Sequence, residues 1–98
     1  MAQLAAAERL AKVKTALGMN GSNYQDDTLS IYIDEVVDFM VGAGVQQAVA
    51  ESDAAVGCIA VGVNDLWNYS SGGVRFSDYF KNRVVQLSLK RVNADVQT

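Results

Sequence analysis

The sequence contains no histidine and no proline, and its only cysteine is Cys58. Without histidine, the chain lacks the commonest general base and the commonest zinc ligand of proteins. One cysteine cannot form an internal disulfide, so nothing in the sequence requires an oxidising compartment. These absences disfavour an enzyme, and we expect neither a cofactor nor a metal ion in this protein.

Long hydrophobic runs and strong charge are also missing. No apolar run approaches the roughly 20 residues that cross a bilayer as a helix, and we expect neither a signal peptide nor a membrane partner. The formal net charge is only −3, which disfavours general binding to nucleic acid or to an anionic membrane surface. With 98 residues, half of them hydrophobic, residues 1–98 are predicted to form one domain with a modest core.

Because proline is absent, glycine is expected to mark the boundaries between elements. Between the glycine pairs, apolar residues recur with the 3.6-residue period of a helix rather than with the alternation of a strand. The pattern predicts an all-α fold, a compact bundle of about four helices over residues 4–91, with a loose tail at 92–98. The boundary glycines form three pairs: Gly18 and Gly21, Gly42 and Gly44, and Gly72 and Gly73.

The four predicted helices cover residues 4–17, 27–41, 53–69 and 77–91. Side chains that accept a backbone hydrogen bond precede three of them, so the predicted N-caps are Asp26 or Asp27, Ser52 and Ser77. Gly18 is the predicted C-cap of the first helix. Apolar residues at helical spacing form the predicted core stripes: Ala6, Leu10, Val13 and Leu17; Leu29, Ile33, Val36 and Met40, with Tyr32 and Phe39 at the margin; Val56, Ile59, Ala60, Val63, Leu66 and Trp67; Phe76, Phe80, Val84 and Leu87.

The third predicted helix is apolar on nearly every side, since Gly57, Cys58 and Val61 lie opposite its core stripe. A helix of this kind is usually buried on two sides, so it is either the central helix of the domain or packed on a partner chain. Gly57 and Gly62 each lower helix propensity by about 1 kcal/mol relative to alanine, which close approach of another helix would offset. Cys58 has no second cysteine and no base nearby in sequence, so we interpret it as an inert small hydrophobic residue.

Four apolar residues fall outside the core stripes. On a helical wheel, Ile31 and Val41 lie in the polar arc of the second helix, and Val85 and Leu89 lie on the far side of the fourth. Single apolar residues are common on protein surfaces, and that is one interpretation of this pattern. The other is that these residues contact another subunit.

The clusters of charged residues have no catalytic or metal-binding spacing. Asp26 and Asp27 lack the ligand order of a calcium loop and are expected to serve the helix start. The carboxylates of residues 34, 35 and 38 are expected to form a solvated face. The basic residues of the last helix form either a solvated face or a set of phosphate contacts: Lys81, Arg83, Lys90 and Arg91.

Two stretches of the sequence resemble the head–tail connector proteins of tailed phages and prophages. The first is LAKVKTALGM, followed by a polar loop with paired aspartates and then by LSIYIDEVVDFMVGAGV; the second is VNDLWNYSSG, followed by FSDYFKNRVVQLSLKR. The resemblance covers about residues 8–91, and the glycine-rich stretch VGCIAVGV departs from the pattern. The residues that mark it are Leu17 with Gly18, Asp26 with Asp27, Trp67, Phe80 and Arg83.

This resemblance implies a small all-α adaptor of the virion, made in the bacterial cytoplasm, that assembles as a ring below the portal. Its implied partners are further copies of itself, the portal protein and a stopper or tail-completion protein, while DNA passes through the ring without specific binding. A closed ring requires two different patches on each subunit. The alternative function, which belongs to a different class, is a small helical DNA-binding or regulatory module that uses the basic last helix.

The candidate interface residues fall into two groups. Those expected to contact a neighbouring subunit are Ile31, Val41, Gly57, Val61, Val85 and Leu89. Those expected to contact the portal or the stopper are Ser70, Ser71, Gly72, Gly73, Val74, Arg75 and Arg91.

Overall fold

The computed structural model describes residues 4–19, 25–68 and 76–90. Within these residues the chain is helical, which confirms the all-α prediction. The helices are α1 (Ala6–Leu17), α2 (Asp26–Gly42), α3 (Gln47–Ala50), α4 (Val56–Asn68) and α5 (Asp78–Ser88), with a 3₁₀ turn at Asp53–Ala55.

Helix α1 begins two residues later than predicted and ends where the sequence indicates. The carboxylate of Glu8 accepts a hydrogen bond from the backbone N–H of Ala5, at 3.3 Å, and so satisfies one of the free donors at the helix start. Gly18 adopts a φ of 75° and is the C-cap. This left-handed conformation costs glycine little, which explains why a glycine ends the helix.

Helix α2 begins at Asp26 and follows Gln25, so neither aspartate is the N-cap and that prediction is wrong. Both aspartates lie in the first turn, where a negative charge interacts favourably with the helix dipole. Asp26 also forms an ion pair with Lys14, whose Nζ lies 2.8 Å from the carboxylate and whose side chain is only 8% exposed. This pair fixes the start of α2 against the end of α1.

The third predicted helix, residues 53–69, begins in the structure as the 3₁₀ turn and continues as α4, whereas the short helix α3 before it was not predicted. Ser52 occupies the predicted N-cap position, before the 3₁₀ turn, but its side chain makes no capping hydrogen bond. The Ser52 hydroxyl is buried and donates to the backbone carbonyl of Val49, at 2.7 Å, so it closes the turn after α3 rather than capping α4. Val49 and Ala50 of α3 are themselves buried, so this short helix contributes to the core.

Helix α4 is the central helix, because it packs against α1, α2 and α5. Lys12 of α1 pairs with Asp53 at 3.1 Å, just before α4 begins. Trp67, near the end of α4, packs edge-on against Tyr32 of α2, with ring centroids 5.8 Å apart. The sequence left open whether this apolar helix is the central helix of the domain or packs on a partner chain. In the structure it is the central helix. Trp67 is only partly buried, which corrects the prediction that its side chain is buried.

Ser77 is the N-cap of α5, as predicted. Its hydroxyl accepts a hydrogen bond from the N–H of Phe80 at 3.1 Å and donates one to the carboxylate of Asp65 at 2.9 Å. The backbone N–H of Ser77 donates to the same oxygen of Asp65, at 3.0 Å. Asp65 of α4 thereby fixes the start of α5, which ends at Ser88 instead of residue 91.

One hydrophobic cluster contains residues of all five described helices. The predicted core stripe of α2 is buried along its whole length, and Phe80, Val84 and Leu87 of α5 are buried as predicted. Phe76 is half-buried against this cluster, and the centroid of its ring lies 4.5 Å from the ring centroid of Phe80.

At Gly62 of α4, side chains of two other helices leave no room for a side chain. A Cβ added there would lie 2.6 Å from the ring of Phe80 and 2.9 Å from a methyl group of Val36, and both of these side chains are buried. A Cβ added at Gly57 would meet no atom within 4 Å. The close approach expected for both glycines is therefore present at Gly62 and absent at Gly57.

We predict opposite effects of alanine at these two positions of one helix. Gly62→Ala should lower the free energy of unfolding by about 1–3 kcal/mol, because the new methyl group forces buried side chains apart. Gly57→Ala should raise it by about 0.4–1 kcal/mol, because alanine favours the helix and nothing obstructs its methyl group. Urea unfolding followed by circular dichroism measures both, and equal effects of the two substitutions would contradict this packing.

Candidate subunit interface

The structure exposes the four apolar residues that lie outside the predicted core stripes. Ile31 is 59% exposed, Val41 36%, Val85 59% and Leu89 78%. The helical wheel therefore predicted their exposure correctly, because each lies away from the buried stripe of its helix.

Ile31 lies among carboxylates on the outer side of α2. Four acidic residues share its face of the helix, and all four are exposed. No ion pair to these four carboxylates occurs among the described residues. Helix α2 contains no lysine or arginine. We call this surface the acidic face of α2: Asp27, Ile31, Asp34, Glu35 and Asp38.

Val85 and Leu89 lie together on the outer side of α5. Lys81, one turn before Val85, is exposed, and so is Lys90, which follows Leu89. Asp78, in the first turn of the helix, is the one acidic residue of α5. We call this surface the outer face of α5: Asp78, Lys81, Asn82, Val85 and Leu89.

Val41 lines a shallow cleft where α1, α2 and α3 meet, together with Asp34 and Asp38 of the acidic face and with Arg9, Gln47 and Glu51. Gly57 is exposed on α4, while Val61 of the same helix is half-buried against the core. The six predicted contacts with a neighbouring subunit are therefore distributed over several surfaces.

The remaining candidate residues lie outside the described part of the chain. These are the loop residues Ser70, Ser71, Gly72, Gly73, Val74 and Arg75, and Arg91.

Two aromatic residues are exposed although their exposure was not predicted, Phe39 of α2 and Tyr79 of α5. The ring of Phe39 contacts those of Phe76 and Phe80, with centroids 4.8 and 5.7 Å apart, so it belongs to an aromatic cluster between α2 and α5. No sequence signal distinguishes this arrangement, because Phe39 lies at the margin of the predicted core stripe.

A cavity of about 220 Å³ lies beside Trp67, at the end of α4. Its lining is mostly apolar: Leu17, Met19, Leu29, Val63, Asn64 and Trp67. Among the residues that the structure describes, no three histidine, cysteine, aspartate or glutamate side chains are grouped so that they could hold a metal ion. None of the described helices combines the length and the apolar character needed to cross a membrane.

Cys58 is buried in α4. Burial raises the pKa of its thiol to about 11, although the positive charge of Arg83 opposes part of that rise. Because the thiolate is the reactive form of cysteine, this environment keeps Cys58 protonated and unreactive near neutral pH.

Comparisons with protein-family models, with curated proteins and with solved structures found no match. The resemblance to head–tail connectors therefore rests on the sequence patterns alone.

We predict that Cys58 reacts with an aromatic disulfide reagent at pH 8 much more slowly in the folded protein than in urea. The raised pKa also contributes stability that is present below about pH 9 and is lost as the pH rises towards 11, because the unfolded chain releases this proton first. Urea unfolding of the wild type and of Cys58→Ala across pH 8–11 measures this contribution as a difference. Fast labelling of the folded protein would contradict the buried, protonated thiol. So would an equal dependence of the unfolding free energy on pH in the wild type and in Cys58→Ala.

Proposed function

We propose that this protein is a structural component of a tailed-phage virion, a head–tail connector that forms a ring between the portal and the tail-completion proteins. The sequence resemblance over about residues 8–91 suggests this role. The observation that carries it is the pair of exposed aliphatic residues, Val85 and Leu89, on the outer face of α5.

These two residues are not needed by the domain's own core. Phe80, Val84 and Leu87 fill the inner side of α5 and are buried. Burial of an aliphatic side chain in a neighbouring subunit contributes roughly 1.5–3 kcal/mol before the costs of association are subtracted. Repeated around a ring, a contact of this size is sufficient to separate assembled from unassembled protein.

The exposed faces also meet the geometric requirement of a ring. Rings form by heterologous contacts, in which two different patches of each subunit meet. The acidic face of α2 and the outer face of α5 differ in charge and in side-chain composition. Two identical patches would instead favour a closed dimer.

A second candidate function is DNA binding through α5, because Lys81 of this helix and Lys90, just after its end, are exposed. Two observations weaken this alternative. Arg83 is half-buried and donates to the side chain of Gln86 at 2.6 Å, and the four exposed carboxylates on the acidic face of α2 form no ion pair within the described part of the chain. A DNA-binding module would bind duplex DNA with an affinity that falls steeply with salt. A connector would bind duplex weakly or not at all.

Electron microscopy of the concentrated protein, alone and mixed with a phage portal, tests the proposed function directly. Rings that are coaxial with the portal would support it. Specific duplex binding in the absence of portal docking would favour the second candidate.

We predict that Val85→Asp combined with Leu89→Asp leaves a folded, helical monomer that no longer forms rings or docks onto the portal. Both positions are exposed, so the charges should not disturb the core. The matched control is Ala7→Asp with Ala11→Asp, which adds the same charges to exposed positions of α1 at the same spacing. Sedimentation velocity and circular dichroism distinguish the outcomes: normal assembly of the double variant would contradict the proposal, and unfolding would place both residues in the core.

A further inference from the structure

An open cleft of about 480 Å³ lies between α2, α4 and the residue pair that leads into α5. Helix α2 contributes three of its side chains, α4 contributes one, and the last comes from just before α5. Carboxylates and aromatic rings are thereby brought together from distant parts of the sequence. We call this cleft the α2–α4 cleft, and its lining residues are Glu35, Asp38, Phe39, Leu66 and Phe76.

Aromatic surface is accessible in the α2–α4 cleft. The side chain of Phe39 is 38% exposed, and that of Phe76 is half-buried. Their ring centroids lie 4.8 Å apart, and the two ring planes are inclined by 45°. Leu66 is buried beside them and completes an apolar lining. The face of an aromatic ring carries partial negative charge, so exposed rings of this kind attract a cation.

Two carboxylates stand beside these rings. Glu35 and Asp38 are exposed and lie three residues apart on α2, where like charges repel one another. Among the residues that the structure describes, neither carboxylate forms an ion pair, and α2 has no basic residue of its own. A cation in the cleft would relieve this repulsion and contact the rings at the same time.

The lining also restricts the kind of cation. A metal ion requires more ligands, and the described ranges contain no group of three side chains that could hold one. A guanidinium group is planar and weakly hydrated, so it stacks on aromatic rings while its N–H groups donate to carboxylates in pairs. The ammonium group of lysine is a strongly hydrated point charge without such a plane. The combination of rings and carboxylates therefore favours arginine.

We infer that the α2–α4 cleft binds an arginine side chain of a partner protein. The two phenylalanine rings contact the guanidinium plane, and the two carboxylates accept its hydrogen bonds. Arg9 and Arg83, the arginines of the described residues, are half-buried and donate hydrogen bonds within their own chain, which favours a different protein as the source. The inference rests on the cleft and not on the proposed function, although Glu35 and Asp38 also belong to the acidic face of α2.

NMR titration of the full chain with three short peptides tests this inference. The peptides are identical except for one central residue, which is arginine, lysine or citrulline. Citrulline has nearly the shape of arginine but no charge. The arginine peptide should shift the amide resonances of the lining residues and bind about threefold or more tightly than the lysine peptide. The citrulline peptide should cause no saturable shift.

Matched variants separate the cleft from the general negative charge of α2. Glu35→Gln combined with Asp38→Asn keeps the size of both side chains and should weaken binding of the arginine peptide about tenfold. The control, Asp27→Asn combined with Asp34→Asn, removes two exposed charges of α2 that do not line the cleft. At about 0.15 M salt it should change the affinity by less than about twofold, because distant charges are screened.

A change of one ring tests the aromatic contact. Phe39→Leu retains an apolar side chain and should weaken binding of the arginine peptide more than binding of the lysine peptide, because guanidinium gains more from stacking. Circular dichroism shows whether each variant is folded. The charge variants keep the inference testable if Phe39→Leu does not fold, since both of their positions are exposed.

Equal binding of the three peptides, or equal effects of the two charge variants, would overturn the inference. Arg75 precedes Phe76 in the sequence, so binding that occurs only in an Arg75→Gln variant would assign the cleft to this chain's own arginine. Self-association that Glu35→Gln with Asp38→Asn abolishes would assign it to a second copy. Either result would also overturn the inference.

These outcomes are distinct from failure of the proposed function. Rings on the portal without arginine binding would refute the assignment of the cleft and leave the connector role standing. Arginine binding by a protein that never docks onto the portal would refute the connector role and leave the cleft.

Discussion

The arrangement of the helices depends on the absence of a side chain at Gly62. Because α4 has no Cβ at this point, Val36 of α2 and Phe80 of α5 reach its backbone from two other helices, and both are fully buried. The hydrogen bonds from Ser77 to Asp65 then hold the start of α5 one turn further along α4. With its inner side fixed in this way, α5 must present Val85 and Leu89 to solvent. The surface proposed to bind a neighbour is thus a consequence of how the core packs.

Much of this could be predicted from the sequence, for reasons that particular residues illustrate. The helical period identified the buried stripe of α2 and the exposure of Ile31, since a regular helix assigns a direction to every residue. The C-cap at Gly18 and the N-cap at Ser77 were predictable because each requires a specific residue type at a helix end. The same geometry predicts that Val85 and Leu89 lie on the side of α5 opposite its buried residues.

Other features depend on contacts between residues distant in sequence, which periodicity does not contain. The burial of Lys14 follows from its pairing with Asp26, and the same pairing gives Asp26 a role other than capping. Ser52 has the residue type of an N-cap, yet its hydroxyl bonds backwards to Val49 because α3 ends there. Nothing in the local pattern distinguishes Gly57 from Gly62, and only the packing of α2 and α5 on α4 makes one of them indispensable.

The composition of the two outer faces bears on how a connector of the proposed kind would assemble. Each face offers only one or two aliphatic side chains, so a single contact of the proposed kind between copies would be weak. In a closed ring every copy makes two such contacts, and the last contact forms between copies that are already held together, so that it adds stability with little further entropic cost. A surface on the portal that holds several copies in order has the same effect. Under the proposed function, weak contacts would therefore keep the chain dispersed when free and let the ring form where the portal collects several copies.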